Sequence, residues 1–348
     1  MGPFNRILVI KLGSLGDVVH TLPAVAALKK WRPQTQIDWL VERKCSILLK
    51  GNASIHEVIE VDTQSWRSSP LSFSVLSQIR SSLARLRANR YDLALDFQGL
   101  WKSAAFGYFS GAKRLLGFEK QALKEPGCRI LYDGRISPGS DAAHIIEICN
   151  ELVRSLGVET NGLHFDLTTS EEDNEYVSSQ LASHRVAEFV ILNPGGGWVT
   201  KNWAPNNYAA LHLRLRQTTT LQTILTWGPG EEDLIEQIFE VCRTAPPITF
   251  PTTIPQFIAL VRRAKLFVGG DTGPMHLAAA CGIPVVGIFG PTSPLRNGPF
   301  SHEDVVVSHK VPCGPCYKRN CEVHTNECMR LVTVDEVHSA VLRRLGLG

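Results

Sequence analysis

Short apolar runs alternate with amphipathic stretches along the whole chain, and this alternation predicts its secondary structure. Residues 6–11 (Arg-Ile-Leu-Val-Ile-Lys) form an apolar run typical of a buried strand, and residues 18–31 place Leu22, Val25 and Leu28 at the spacing of one helix face. Further strands are expected at residues 37–41, 57–61 and 92–97. Strands that alternate with helices in this way favour a parallel sheet with crossover helices.

The same alternation restarts after an acidic, Ser/Thr-rich stretch at residues 168–174. Strands are expected in this second half at residues 189–193, 222–227, 265–269 and 283–289. We therefore predict an α/β chain of two doubly wound, Rossmann-like domains, residues 1–170 and 171–348, that face a central cleft. A final helix at about residues 333–345 has no strand after it, and we expect it to pack back across that cleft.

The composition is that of a globular protein and argues against several other classes. Of the 348 residues, 44% are hydrophobic and 20% are charged, which is far from the range of disordered chains. The longest apolar runs, such as residues 283–289, are much shorter than the roughly 20 residues that cross a bilayer. Residues 1–6 lead directly into the first strand without the apolar region of a signal peptide, so we expect a soluble cytoplasmic protein.

The formal net charge of +3 is divided unevenly between the two predicted domains. Residues 1–170 hold 21 Lys and Arg against 16 Asp and Glu, a charge of +5, which leaves −2 for the remainder. The basic half is suited to an acidic partner, although an ordinary solvated surface explains a small imbalance equally well. We expect no nucleic-acid partner.

Nine cysteines, an odd number, argue against a secreted disulfide framework. Five stand in apolar surroundings, where thiols act as small hydrophobic side chains: Cys45, Cys128, Cys149, Cys242 and Cys281. The other four are spaced like the ligands of a structural zinc site, because close pairs of cysteines suit tetrahedral coordination: Cys313, Cys316, Cys321 and Cys328. Free thiols or a conditional disulfide are the alternatives to such a metal site.

The loop at residues 11–17 (Lys-Leu-Gly-Ser-Leu-Gly-Asp) is a candidate catalytic loop, because ligands of parallel sheets lie beyond the carboxyl ends of the strands. It is a poor dinucleotide fingerprint, since a glycine is missing and Asp17 would repel a pyrophosphate. An acid at this place suits proton transfer. The alternatives are that Asp17 only caps the helix, or that His20 is the base.

A second loop, at residues 269–276 (Gly-Gly-Asp-Thr-Gly-Pro-Met-His), is typical of a diphosphate site at a helix N-terminus. Its small residues let the backbone approach a ligand closely. In this interpretation Asp271 caps the helix while Thr272, the Gly273 amide and His276 face the phosphates. A capped structural turn is the alternative, and the absence of lysine shows that the loop is not a P-loop.

Two more glycine-rich loops follow expected strands. Residues 193–203 contain three consecutive glycines before Thr200 and Lys201, and Lys201 is placed to neutralise phosphate. Residues 227–232 (Trp-Gly-Pro-Gly-Glu-Glu) offer Glu231, whose carboxylate can accept hydrogen bonds from ribose hydroxyls. Glu231 is equally explained as an ordinary acid in the first turn of a helix.

Four motifs, in order along the chain, resemble those of the bacterial lipopolysaccharide heptosyltransferases, and the resemblance covers essentially the whole chain. They are residues 11–24 (Lys-Leu-Gly-Ser-Leu-Gly-Asp-Val-Val-His-Thr-Leu-Pro-Ala), 96–104 (Asp-Phe-Gln-Gly-Leu-Trp-Lys-Ser-Ala), 200–203 (Thr-Lys-Asn-Trp) and 270–280 (Gly-Asp-Thr-Gly-Pro-Met-His-Leu-Ala-Ala-Ala). The resemblance implies the GT-B glycosyltransferase fold. It also implies transfer of L-glycero-D-manno-heptose from ADP-heptose to the Kdo-lipid A inner core, with inversion at the anomeric carbon and without metal or cofactor.

Carried onto this chain, the resemblance makes Asp17 the general base of an N-terminal, acceptor-binding domain. It implies that the C-terminal domain binds the donor through Thr200, Lys201, Glu231, Thr252, Asp271, Thr272, Gly273 and His276. Of these, Glu231 would hold the ribose and the backbone near Thr252 would meet the adenine. Candidates for holding acidic groups of the acceptor are Lys102, Lys124 and Arg129. A lipid acceptor further implies peripheral contact with the anionic cytoplasmic face of the inner membrane.

Two other functions remain open from the sequence, and a third lacks the motif that it requires. A related glycosyltransferase would use another nucleotide sugar, and a non-catalytic nucleotide-sugar-binding protein would not need Asp17. A nicotinamide-dependent oxidoreductase would need an intact G-x-G-x-x-G followed by a ribose-binding acid, and neither half has this pattern.

Overall fold

The computed structural model describes residues 4–68, 72–139, 144–323 and 325–347 and divides the chain into two compact units. The first unit is Met1–Thr168 and the second is Thr169–Gly348, so the boundary lies two residues before the position expected from the sequence. In the parts of the chain that the structure describes, no helix combines the length and the apolar character needed to span a bilayer.

The first unit is built on a six-stranded sheet. Its strands are β1 (Arg6–Ile10), β2 (Gln36–Glu42), β3 (Glu57–Val61), β4 (Leu93–Asp96), β5 (Leu115–Phe118) and β6 (Gly134–Ile136). Its helices are α1 (Leu15–Trp31), α2 (Arg43–Ser46), α3 (Thr63–Ser68), α4 (Phe73–Ala88), α5 (Trp101–Phe109) and α6 (Ile145–Arg154). The strands are all parallel and follow the order β3-β2-β1-β4-β5-β6, which is the doubly wound order of a Rossmann fold.

The second unit repeats this architecture. Its strands are β7 (Phe189–Asn193), β8 (Gln222–Leu225), β9 (Ile248–Thr249), β10 (Leu266–Gly270), β11 (Val285–Phe289) and β12 (Val305–Ser308). Its helices are α7 (Glu171–Ser183), α8 (Pro205–Thr218), α9 (Glu232–Val241), α10 (Ile254–Val261), α11 (Gly273–Ala280), α12 (Pro294–Asn297), α13 (Glu327–Arg330) and α14 (Val334–Arg344). The parallel order β12-β11-β10-β7-β8-β9 is again the doubly wound one, which confirms the predicted fold of both halves.

Apolar sequence explains which strands stand in the middle of each sheet. Residues 7–10 of β1 and every residue of β10 and β11 are buried, because helices cover both faces of a parallel sheet. The Ser/Thr-rich stretch at 168–174 is not only a linker. Ser170 caps α7 by accepting a hydrogen bond from the Asp173 amide, so the acidic residues belong to the first turn of that helix.

The last helix, α14, differs from the expectation that it packs back across a cleft. Its buried residues Val337, Ala340 and Val341 belong to the hydrophobic core of the second unit. The helix lies against α8 and the strands β10, β11 and β12 of that same unit. Its apolar stripe is thus buried within the second unit, and this packing replaces the predicted one.

Candidate active site

The carboxyl ends of the second unit's parallel strands share one edge, and four glycine-rich or polar loops leave the sheet there. The loop after β7 contains residues 194–198, the loop after β8 leads to Glu231, the loop after β9 contains Thr252, and the loop after β10 contains Asp271. This is the edge at which doubly wound domains bind ligands. The sequence-predicted donor residues therefore lie along one side of the sheet.

Asp271 is the centre of a buried charged cluster directly after β10. Its Oδ2 lies 2.8 Å from Lys201 Nζ, and its Oδ1 lies 3.1 Å from His276 Nε2. Lys201 Nζ also donates to the Asp271 carbonyl at 2.9 Å, and Asn297 Nδ2 donates to Oδ2 at 3.3 Å. The prediction that Asp271 caps α11 is wrong, because Thr272 takes the N-cap position and the Asp271 carboxylate holds Lys201 and His276 instead.

The charge of this cluster is balanced within the protein. Burial alone would raise the pKa of Asp271, but the hydrogen bond and charge of His276 and the ammonium of Lys201 outweigh burial and hold that pKa well below its usual range. The Lys201 ammonium also lies 4.6 Å from the centre of the Trp198 ring. Lys201 is thus fixed in place and already paired, so an incoming phosphate has to share it with Asp271.

Four buried polar atoms at the same edge of the sheet as this cluster have no hydrogen-bond partner among the described residues. They are Asn193 Oδ1, Asn202 Oδ1, Thr272 Oγ1 and Thr292 Oγ1. Asn193 ends β7, and the other three residues lie in the loops that follow the neighbouring strands β7, β10 and β11. Because buried polar groups in folded proteins are normally paired, these atoms indicate a place for a polar ligand. Sequence reasoning had singled out only Thr272 of the four.

Glu231 takes the N-cap position of α9, but its carboxylate makes no capping bond and lies against the glycine loop after β7 instead. Its Oε2 accepts a hydrogen bond from the Gly228 amide at 2.8 Å, and the Gly196 amide donates to the same carboxylate. Burial raises the pKa of Glu231, although these two amides oppose the increase. A side chain at Gly195 would overlap the carboxylate, so glycine is required there for the close approach. The Glu231 carboxylate therefore lies at the same edge of the sheet as the other predicted donor-binding residues.

Thr200 and Thr252 have different surroundings from the rest of the predicted donor set. Thr200 is buried, and its hydroxyl donates to the Lys318 carbonyl at 2.8 Å, so it anchors the cysteine-containing loop. Thr252 is half-buried in the loop after β9, the outermost strand of the sheet. Thr252 thus lies at the same sheet edge as Asp271, with β8 and β7 between their strands.

Asp17 lies beyond the carboxyl end of β1 in the first unit, in the first turn of α1. Ser14 takes the N-cap position, and Asp17 Oδ2 accepts hydrogen bonds from the Ser14 amide at 2.7 Å and the Ser14 hydroxyl at 3.0 Å. The other oxygen, Oδ1, lies 3.4 Å from Lys11 Nζ. Asp17 is therefore not the N-cap itself but the third helical residue of a capping box.

The electrostatics of Asp17 favour its charged form. Burial opposes ionisation, but the Lys11 ammonium and the two Ser14 donors outweigh burial and lower the pKa of Asp17. The Asp17 side chain is 37% exposed, whereas His20 is only 4% exposed and its ring packs edge-on against His144 at 5.9 Å. Of the two candidate bases, Asp17 is the one that a substrate can reach.

Gln98 and Asp96 position the loop of Asp17, and sequence reasoning had not assigned them a role. Gln98 Oε1 accepts hydrogen bonds from the Leu12 amide at 3.0 Å and the Gly13 amide at 3.2 Å. Behind it, the fully buried Asp96 accepts from the Gln98 amide at 2.8 Å. The two loops are thus tied together at the carboxyl ends of the adjacent strands β1 and β4. Both residues belong to the motif at residues 96–104, which is the part of the sequence that could have indicated their role.

The three predicted acceptor-binding cations differ in whether an acidic side chain of the protein already pairs with them. Lys102 Nζ lies 3.2 Å from Glu42 Oε1 and donates to the Thr63 hydroxyl at 2.7 Å, so its charge is already balanced. Arg129 lies 3.4 Å from a Glu119 carboxylate oxygen. Lys124 is exposed. Lys102 follows β4 and the other two follow β5, which places all three on the ligand-binding edge of the first sheet.

Potential metal ligands are grouped elsewhere than predicted. No disulfide joins any of the nine cysteines, all of which lie in the described part of the chain, and the four between residues 313 and 328 do not bring three sulfur atoms within 4.8 Å of one another. The described residues do bring Asp38, His56 and Glu57 together. That group lies near the amino ends of β2 and β3, and its carboxylates are bonded to Arg6, Tyr91 and Arg85, so it is a structural ion-pair network.

Comparison with known proteins places this geometry in a family. The chain matches the model of glycosyltransferase family 9 (heptosyltransferase) over residues 79–326. It is 30% identical over 329 residues to lipopolysaccharide heptosyltransferase 1 of Pseudomonas aeruginosa, covering 92% of this chain and 89% of that protein. It is 26% identical over 310 residues to lipopolysaccharide heptosyltransferase 1 of Escherichia coli K12, covering 86% and 92%.

Two solved structures from Escherichia coli are similar along nearly the whole chain. The heptosyltransferase WaaC with ADP-2-deoxy-2-fluoro heptose gives a TM-score of 0.75 at 24% identity, covering 97% of this chain and 98% of that one. The ADP-heptose lps heptosyltransferase II gives 0.76 at 22% identity, covering 98% of both chains. Their likeness confirms the GT-B fold expected from the sequence.

Proposed function

The chain belongs to glycosyltransferase family 9, the heptosyltransferases, and we propose that it transfers L-glycero-D-manno-heptose from ADP-heptose to the Kdo-lipid A inner core of lipopolysaccharide. The names of its relatives support lipopolysaccharide as the acceptor, and the ADP-heptose analogue bound to WaaC supports the donor. One observation in this chain carries the proposal: unpartnered buried polar atoms lie at the same ligand-binding edge of the sheet as the Lys201–Asp271 pair.

The donor diphosphate fits the loop after β10. The N-terminus of α11, with the Gly273 amide and the partial positive charge of the helix, favours a phosphate group. Thr272 Oγ1 supplies a further donor, and Lys201 supplies a positive charge that the phosphate would share with Asp271. As ADP leaves, negative charge grows on the diphosphate, and groups that are already fixed stabilise it without rearranging.

Asp17 is the general base of the proposed reaction. A hydroxyl oxygen of the acceptor attacks the anomeric carbon of the heptose, the bond from that carbon to the diphosphate oxygen breaks, and ADP leaves with the bonding electrons. The hydroxyl proton passes to Asp17, which its lowered pKa keeps ionised at neutral pH. Attack from the side opposite to the diphosphate inverts the configuration of the anomeric carbon.

The charges that this reaction requires are supplied by side chains, so we propose that the donor binds without a divalent metal. Lys201 and the N-terminus of α11 take the place that a cation occupies in many nucleotide-sugar sites. ADP should therefore raise the melting temperature equally in EDTA and in magnesium, since a ligand of the native state stabilises it by mass action. A shift that requires magnesium would contradict metal-independent binding.

The acceptor is a membrane lipid, so we also propose a peripheral position at the anionic cytoplasmic face of the inner membrane. The first unit holds the excess of basic residues, and each Lys or Arg near such a surface contributes about 1 kcal/mol. Lys124 and Arg129, on the acceptor edge of that unit, are suited to acidic groups of the lipid core.

The experiment that tests the function is Asp17→Asn, with Asp173→Asn as a matched control. Asp173 holds the same third helical position in α7, where it accepts hydrogen bonds from the Ser170 amide at 3.0 Å and hydroxyl at 2.7 Å. In both variants the amide oxygen can keep the bond to the capping amide. Loss of the proton acceptor should reduce ADP release by roughly 10²–10⁴-fold in Asp17→Asn alone.

Measurements of donor binding and of stability show whether a loss of turnover in Asp17→Asn comes from lost catalysis or from unfolding. Both variants should bind ADP-heptose and unfold like the parent protein. Equal turnover of Asp17→Asn and Asp173→Asn would show that Asp17 is only a capping residue. Release of ADP from other nucleotide sugars but not from ADP-heptose would refute the proposed donor.

A further inference from the structure

Helix α4 carries an apolar stripe that the fold of the first unit only partly covers. Val75 and Leu86 are buried, but Phe73 and Leu76 are 88% and 52% exposed. The spacing of Phe73, Leu76 and Ile79 places them along one side of the helix. The stripe therefore continues from the core out to solvent.

An apolar cavity of about 520 Å³ lies beside this stripe. It is lined mainly by aromatic and aliphatic side chains of α3, α4 and α5, including Trp66, Ile79, Leu83, Trp101, Phe106 and Phe109. Trp101 and Phe109 are each 46% exposed, and Tyr108 next to them is more exposed still. We call the exposed residues Phe73, Leu76, Trp101, Tyr108 and Phe109, with the cavity between their helices, the α4–α5 face.

The charge on this face has one sign along α4. The helix contains Arg80, Arg85 and Arg87 and no Asp or Glu. Arg85 is paired with Glu57, and Arg87 donates to the Phe109 carbonyl, but Arg80 is exposed and has no ion pair among the described residues. A helix with exposed aromatic and aliphatic residues beside arginines is typical of helices that lie in the interface of an anionic bilayer.

The position of the α4–α5 face also suits contact with a membrane. Helix α5 begins directly after the β4 loop, whose Gln98 holds the loop of Asp17. Helix α4 likewise follows β3, so both helices begin at the edge at which the acceptor is expected, and Phe73, Leu76 and Trp101 are the residues of the α4–α5 face nearest to it. A membrane-anchored acceptor would present its sugars to this edge only if the neighbouring surface could lie on the bilayer.

We propose that the α4–α5 face docks the protein on an anionic lipid bilayer, with Phe73 and Leu76 entering the acyl boundary and Arg80 meeting the headgroups. The inference rests on the proposed function, because that function supplies a lipid acceptor. It goes further by naming the surface and by assigning binding to apolar insertion as well as charge.

Vesicle binding tests the proposal. The full chain is mixed with protein-free vesicles of phosphatidylcholine, with or without phosphatidylglycerol, and the bound fraction is measured by sedimentation. The parent protein should bind the anionic vesicles, and both Phe73→Ser/Leu76→Ser and Arg80→Glu should bind at least tenfold more weakly. Val241→Ser/Leu347→Ser and Arg243→Glu change exposed residues of the second unit in the same way and should leave binding unchanged.

Activity on two forms of the acceptor separates this inference from the proposed function. All variants should release ADP at the parental rate with a deacylated, water-soluble acceptor, whereas the α4 variants should be slow with acceptor embedded in vesicles. If the parent protein is inactive on both forms, the proposed function fails. If the parent is active but the α4 variants bind vesicles as well as it does, the docking surface is wrong. Release of the α4 variants from native membranes but not from protein-free vesicles would identify a membrane protein as the partner and overturn the proposal.

Discussion

Gly195→Ala should weaken the donor site through a single side chain, Glu231. A Cβ at position 195 would overlap the Glu231 carboxylate, so the carboxylate has to leave the amides of Gly196 and Gly228. Hydrogen bonds to charged groups contribute about 1.5–3 kcal/mol each, so two intact bonds set an upper limit of roughly 3–6 kcal/mol. Burial of the carboxylate opposes these bonds and raises the pKa of Glu231, and the amides of Gly196 and Gly228 are only half-buried. We therefore expect a smaller loss of about 1–2 kcal/mol in the free energy of unfolding.

A matched substitution in the same loop makes this prediction specific. Gly197 is exposed, and a Cβ there would meet no atom within 4 Å. Gly197→Ala should therefore change the free energy of unfolding by less than about 0.5 kcal/mol. Urea denaturation measures the stability of each variant, and calorimetric titration measures the affinity for ADP, which should fall roughly tenfold or more in Gly195→Ala alone.

A double-mutant cycle identifies the cause. In the Glu231→Ala background the carboxylate is absent, so adding Gly195→Ala should cost little further stability or ADP affinity. The two substitutions would then be strongly non-additive. If Gly195→Ala costs as much in that background as in the parent protein, the backbone of the loop sets the cost, and the reasoning from Glu231 is refuted.

Three further substitutions test the charged groups. Lys201→Ala should raise the dissociation constant for ADP by roughly 10–150-fold, because it removes a charge-assisted bond of about 1.5–3 kcal/mol; unchanged affinity in a calorimetric titration would make Lys201 a structural residue. Lys11→Met should raise the pKa of Asp17 and move the acid limb of the kcat/KM profile to higher pH, since the Lys11 charge helps to lower that pKa; an unmoved limb would show that another group titrates. Asp271, whose pKa is lowered in the folded state, contributes stability above the unfolded value of about 4 and loses it as the pH falls. Asp271→Asn should therefore be less stable at pH 7 but lose less stability between pH 5 and pH 3 in urea denaturation, and parallel curves would contradict this.

The fold was predictable where strands are long and apolar, and the prediction failed where they are short. The runs at β1, β10 and β11 are buried on both faces and are visible in the sequence as continuous apolar segments. The edge strands β6 (Gly-Arg-Ile) and β9 (Ile-Thr) contain three and two residues, and such segments have no periodicity to detect. They are strands only because a parallel neighbour supplies hydrogen bonds.

The candidate site was predictable residue by residue but not in its connections. Asp17 and Asp271 could be singled out because each follows an apolar strand in a glycine-containing loop. The bond from the Gly13 amide to Gln98 joins residues 85 positions apart, and it depends on the adjacency of β1 and β4. The choice between Asp271 and Thr272 as the helix cap depends on backbone angles that their sequence does not specify.

The amides of Leu12 and Gly13 donate to Gln98, so two stretches of the chain that are far apart in sequence depend on each other for their conformation. We therefore expect that they can be exchanged between relatives only together. A chimera that takes residues 97–101 from a relative with another acceptor also exchanges the support of its own Asp17 loop. Such a graft should keep ADP affinity, because we propose that ADP binds to the second unit, and should lose turnover unless residues 11–17 come from the same relative. We therefore expect the range of acceptors to change when both loops are exchanged together, and activity to be lost when one loop is exchanged alone.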